Sequence, residues 1–160
     1  MSIRRVVGLG LVLFLSMVAG AGAQLTFKAS GPVQRFATAM SNSLMCINPP
    51  FGCAPLASLP IDLNADSYLT ITFSASGEVL PSSTAFQNVT IKCDVDGKPC
   101  EAGGGITDFA FPKECCDSRS FTWIAFWSKG AYTVNITWAA PNMGTTIIHS
   151  RTLNVDAIAM

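Results

Sequence analysis

The 160-residue chain sets ten basic residues against ten acidic ones, with one histidine and 49% hydrophobic residues. That balance removes any electrostatic case for binding nucleic acid or an anionic membrane surface. The length suits one domain with room for a full core, and neither repeats nor low-complexity tracts argue for a second.

Residues 1–23 have the three-part layout of a secretory signal peptide. Arg4 and Arg5 open it, an apolar run covers residues 6–18, and Ala21-Gly22-Ala23 precedes Gln24. As a helix the run spans about 20 Å, short of the roughly 30 Å of a bilayer core. The sequence therefore predicts cleavage after Ala23, a mature domain at 24–160, no membrane span thereafter, and a secreted or extracytoplasmic protein in the periplasm or cell exterior. The mature part keeps eight basic and ten acidic residues, a net charge of −2. Arg151, Asn154 and Asp156 near the end argue against a tail exchanged for a lipid anchor.

The mature part reads as β throughout. Short strands are predicted at 25–29, 33–40, 56–63 and 106–111. Clean period-two alternation marks 68–75, 86–95 and 131–138 as half-buried antiparallel strands. In the first of these Leu69, Ile71, Phe73 and Ala75 oppose Tyr68, Thr70, Thr72 and Ser74. Residues 121–127 are apolar on both faces, which predicts a central or covered strand. In 145–155 the parity switches between Ile148 and Leu153, so a bulge is expected at 149–151. Gly31-Pro32, Gly77, Pro81, Asp96-Gly97, Gly103-Gly104-Gly105, Lys129-Gly130 and Pro141-Asn142 punctuate the runs. The expected fold is all-β, a two-sheet antiparallel β-sandwich of jelly-roll type, stapled by disulfides.

Cys46, Cys53, Cys93, Cys100, Cys115 and Cys116 all follow the leader. In an oxidising compartment six cysteines read first as three bridges. Asp96-Gly97 is a favoured two-residue hairpin turn. It places Val95 opposite Lys98 and Cys93 opposite Cys100, at roughly 5.5 Å between Cα atoms, within disulfide range. Cys46 and Cys53 bracket a proline-stiffened loop. The adjacent Cys115 and Cys116 either form a strained vicinal bridge or take separate partners, and the spacing alone does not choose. The absence of Cys-x-x-Cys argues against redox catalysis, and the six-residue gaps argue against a four-sulfur zinc site. No metal or cofactor is expected.

No catalytic residue is assigned. His149 is the single histidine, no Gly-x-Ser-x-Gly occurs, and the acids fall mostly at turns. Asp94-Val95-Asp96-Gly97 has part of a calcium-loop pattern, with Glu101 nearby, but turn chemistry accounts for it better. The aromatic residues from Phe109 to Trp138 are the strongest lead. Most suit a core between two sheets. Phe126 and Trp127 are adjacent and must face opposite ways in a strand, so one of them is expected to be exposed as a ligand platform. Asn88-Val89-Thr90 and Asn135-Ile136-Thr137 match the N-glycosylation sequon for a eukaryotic host.

Three segments carry a resemblance: 119–124 (Arg-Ser-Phe-Thr-Trp-Ile), 132–138 (Tyr-Thr-Val-Asn-Ile-Thr-Trp) and 150–155 (Ser-Arg-Thr-Leu-Asn-Val). They resemble the closing strands of secreted bacterial jelly-roll-like sandwiches of unknown function, similar in style to complement-C1q-type heads. The resemblance covers about a quarter of the chain. It implies fold and secretion, leaves homo-oligomerisation open, and carries over no catalytic residue. Together these readings predict a non-enzymatic protein of extracellular recognition, adhesion or structure, its ligand a carbohydrate or a protein. The alternative is a carbohydrate-binding module with an exposed aromatic platform. A secreted hydrolase using two carboxylates is the third reading.

Overall fold

The computed structural model describes residues 25–29, 33–47, 55–80, 86–101, 103–112, 116–139 and 145–160, with backbone alone for 25–29, 45–47, 86 and 87. The predicted leader at 1–23 lies outside these residues. No helix among the described residues is long and apolar enough to cross a membrane.

Among the described residues eleven strands follow one another: β1 Leu25–Ala29, β2 Val33–Met40, β3 Leu44–Ile47, β4 Ala57–Leu63, β5 Ser67–Val79, β6 Phe86–Val95, β7 Lys98–Pro99, β8 Ile106–Pro112, β9 Asp117–Trp127, β10 Gly130–Ala139 and β11 Thr145–Ala159. One 3₁₀ turn, Gly103–Gly105, precedes β8. The first sheet has the order β1-β2-β11-β5-β9, with β3 also paired to β11. The second has the order β4-β10-β6-β7, with β8 also paired to β6. Early strands meet late ones in a nested series: β2 with β11, β4 with β10, β5 with β9 and β6 with β8. Successive pairs fall in alternate sheets. That is the connectivity of a jelly roll, all antiparallel, and it meets the expected architecture.

Period-two sequence becomes one-sided burial. In β5, Leu69, Ile71, Phe73 and Ala75 are buried while Tyr68 is exposed. In β10, Val134, Ile136 and Trp138 face inward. The core between the sheets is built on Phe73, Phe111, Trp123, Leu59, Ile91 and Leu153, all fully buried. Pro60, exposed, sits in β4, which among the described residues pairs only with β10. An edge strand is where the missing N–H of proline leaves no ladder bond unmade.

Three local features follow from the sequence chemistry. Asp96 (φ 49°) and Gly97 (φ 81°) form the turn between β6 and β7. The Gly97 amide donates to Asp94 Oδ1 at 2.8 Å. Val95 opposes Lys98 as expected, and Cys93–Cys100 is a disulfide with Cα atoms 5.5 Å apart. In β11, Ile148 opposes Gly77 and Arg151 opposes Ala75, so His149 and Ser150 together face Ser76 alone. This bulge lets Ile148 and Leu153 both point inward, as the parity switch required. It also buries Arg151, whose guanidinium donates to the backbone oxygens of Leu56 and Asn42 and to Asn42 Oδ1. Burial pulls the Arg151 pKa below its ordinary value.

Two expectations change. The double-faced apolar pattern at 121–127 predicts a central or covered strand, yet β9 is the outer strand of the first sheet. Its second apolar face is turned to solvent instead of to a neighbouring layer. Cys116 was expected in a bridge and carries a free, exposed thiol. Just before β9 at the sheet rim, it lies beside Glu78 and His149. The side chains of Cys46, Cys53 and Cys115 lie outside the described residues. β3 has no counterpart among the predicted strands, being only four residues before Asn48-Pro49-Pro50.

Candidate functional site

The outer face of the first sheet gathers what chemistry the surface offers. Register does the gathering: Ile158 of β11 opposes Tyr68 of β5, and Tyr68 opposes Phe126 of β9. These three form one row across the sheet. Ile124 stands two residues before Phe126, on the same face. All four are exposed: Tyr68 51%, Phe126 48%, Ile124 56% and Ile158 50%. The Tyr68 and Phe126 rings lie 5.3 Å apart and tilted by 59°. A cluster of this kind is the informative exception on a soluble surface, where large apolar side chains are usually scattered singly.

Below the row the same strands carry a hydroxyl ladder. Thr72 and Thr122 Oγ1 atoms are 2.9 Å apart, Ser74 Oγ donates to Ser120 Oγ at 2.8 Å, and Ser76 and Ser150 Oγ atoms are 2.7 Å apart. Each hydroxyl pair leaves lone pairs, and the donor capacity of one member, open to a ligand. At the far end, on β5 and the β11 bulge, His149 Nε2 is 3.1 Å from Glu78 Oε1 and its Nδ1 is 3.1 Å from Ser43 Oγ.

Of the predicted platform pair, Phe126 faces solvent and Trp127 does not. Trp127 is half-buried against Tyr132, centroids 4.9 Å apart, with Lys98 Nζ 5.0 Å over its ring. It closes the seam between the sheets. Trp123 and Trp138 are buried, as their parity required. Tyr68 is the residue that sequence reasoning overlooked. Its outward parity was readable, but its register opposite Phe126 was not.

The acids spread over local tasks. Asp94 Oδ1 accepts from Gly97 and from Asn135 Nδ2, Asp96 Oδ1 accepts from the Thr133 amide, and Asp66 Oδ1 accepts from the Lys129 amide. Asp156 pairs with Arg35 and Asp117 with Arg119. The Asp94–Asp96 segment thus behaves as a turn, with its oxygens turned to protein donors. Ser43, His149 and Glu78 have the composition of a hydrolytic triad but the opposite ring polarity. The hydroxyl meets Nδ1 and the carboxylate meets Nε2, whereas the serine–histidine–aspartate arrangement joins the hydroxyl to Nε2.

The two sequons fall on the outer face of the second sheet. Asn88 of β6 is exposed. Asn135 of β10 is tied down, donating to Asp94 and accepting from Ser58 Oγ at 3.0 Å.

No protein-family model matches the sequence, and no curated protein matches it. Among solved structures the chain is similar to the C-terminal domain of EclA, a sugar-binding protein, at 10% identity and TM-score 0.43, covering 71% of this chain and 77% of that one. It is also similar to a CBM36-1 domain of a multidomain xylanase from the hindgut metagenome of Trinervitermes trinervoides, at 9% identity and TM-score 0.36, covering 84% and 90%. A third is a carbohydrate-binding module, CBM36, in complex with calcium and xylotriose, at 10% identity and TM-score 0.34, covering 82% and 97%. None of these three is a C1q-type head, and the likeness to such heads is not supported. No residue is carried across from them.

Proposed function

We propose that this chain is a non-catalytic recognition domain, working outside the cytoplasm, whose first sheet binds carbohydrate. One observation carries the reading: Tyr68 and Phe126 stand side by side and exposed at the end of a hydroxyl ladder. Aromatic rings supply an apolar surface for the C–H face of a sugar. The Thr and Ser hydroxyls supply donors and acceptors for its rim. From Tyr68 to Ser76 the strand runs roughly 27 Å, long enough for several sugar units in a row. The Cys93–Cys100 disulfide supports the extracytoplasmic setting.

The test is a glycan array followed by titration of the best ligand. Tyr68→Ala and Phe126→Ala should each weaken binding by about tenfold or more, equivalent to about 1.4 kcal/mol, while Lys92→Ala on the opposite sheet leaves it unchanged. A blank array, or binding indifferent to both ring deletions, would dispose of the reading. Ile124 and Ile158 favour a second one, because aliphatic side chains suit a protein surface better than a sugar. In that case the array is blank, and Ile124→Lys abolishes capture of a protein partner or of a second copy.

A further inference from the structure

The end of the first sheet away from the aromatic row holds a second constellation. Glu78 comes from β5, Cys116 from the residue preceding β9, and His149 from the bulge in β11. One ligand atom from each lies within 4.8 Å of the other two. We propose that Glu78, Cys116 and His149 form a binding site for a single thiophilic divalent cation of the zinc class. This goes beyond carbohydrate recognition and does not depend on it.

The donor set selects the cation. One thiolate, one imidazole and one carboxylate suit zinc, and a thiolate is a poor ligand for magnesium or calcium, which take oxygen. The distances fit. For tetrahedral bonds of about 2.0–2.1 Å to nitrogen and oxygen, the nitrogen–oxygen edge is about 3.3 Å. The His149 Nε2–Glu78 Oε1 distance is 3.1 Å. The edges to sulfur need about 3.5 Å, from a metal–sulfur bond of about 2.3 Å. The Cys116 thiol is free and exposed and lies within 4.8 Å of both partners, so ligation requires it to close to that edge by rotation about its Cα–Cβ bond.

The imidazole is already aimed. Ser43 Oγ holds Nδ1, which leaves Nε2 directed at Glu78 and the cluster. A hydrogen-bond partner on the second ring nitrogen is the usual orienting device for a metal-bound histidine. The bulge is what makes the site: it displaces His149 from regular strand geometry, so that His149 and Ser150 share one opposing residue. A simple His–Glu ion pair explains two of the residues. It leaves the thiol beside them unexplained. Three protein ligands at a solvent-facing rim also leave a fourth position open, as in zinc sites that take water or an exogenous ligand.

The experiment is titration of cobalt(II), a spectroscopic stand-in for zinc, into the metal-free full chain. The near-ultraviolet thiolate-to-cobalt charge-transfer band is the readout. The wild type should bind one equivalent with that band, and zinc should displace it. Cys116→Ser should abolish the band. Glu78→Gln and His149→Gln should each weaken cobalt affinity at least tenfold, and Ser43→Ala should weaken it by about 10- to 100-fold. The proposal fails if the wild type shows no band or if the band survives Cys116→Ser. It fails equally if Glu78→Gln and His149→Gln leave the affinity unchanged, or if non-reducing peptide mapping places Cys116 in a disulfide.

Discussion

Arg151 shows how one side chain can join parts of the chain that no strand pairing connects. Its guanidinium lies inside the sandwich and reaches Leu56 at the entry to β4 and Asn42 between β2 and β3. Arginine suits this task because its fork offers several fixed donors at once. Removing it would leave buried carbonyls without partners, at about 1–3 kcal/mol each. Arg151→Met, which keeps the volume, should therefore lower the stability by roughly 2–5 kcal/mol, read as a drop in the urea midpoint. An unchanged midpoint would mean water replaces the guanidinium without loss. From sequence, Arg151 reads as a charge near the chain end; only the parity switch around it hints at an inward turn. Cys93 and Cys100 were legible because Asp96-Gly97 fixes their register locally. Cys116 was not, because its neighbours Glu78 and His149 lie 38 and 33 residues away in sequence.

Among the elements, β9 and β11 carry most of the surprise. An apolar run on both faces has two physical solutions, burial between layers or exposure of one face for binding. Local pattern does not choose between them, since the choice depends on where the strand sits in the sheet. That is why Phe126 was legible as one half of an exposed-or-buried pair, and why its alignment with Tyr68 had to come from the pairing of β5 with β9. The β11 bulge was legible because Ile148 and Leu153 are both apolar on opposite parities. Next to that bulge, opposite Ile148, Gly77 has a steric role. A Cβ there would lie 2.9 Å from the Ile147 carbonyl oxygen and 3.1 Å from the Phe111 ring. The backbone oxygen cannot rotate away as a side chain could. Gly77→Ala should cost about 1–3 kcal/mol through overpacking, seen as a lowered thermal midpoint. A midpoint equal to wild type would show that β5 and β11 can separate locally.

For the whole molecule the decisive fact is the nesting of early strands with late ones. β11 pairs with β2, β3 and β5, so the last strand sits at the centre of the first sheet. A chain ending after residue 144 would lose the partner of all three and expose both sides of the gap. Such a truncation should give no cooperative unfolding transition and rapid proteolysis, whereas a soluble product with a sharp β-type melt would contradict this topology. Pairings this distant in sequence also place the fold among slowly folding topologies. The fold class was readable without them, since alternation and turn spacing already require two antiparallel layers. The strand order was not, because parity says which side of a strand is wet and nothing about its neighbour.

Asn88 gives the molecule a back. It is exposed on the second sheet, while the aromatic row and the Glu78–Cys116–His149 cluster share the first. A bulky group attached there, whether a glycan or a chemical tether, would shield one broad side and leave the opposite side clear. The slab would then meet its surroundings in a single orientation, and a surface coated through Asn88 would present every copy with the same face outward.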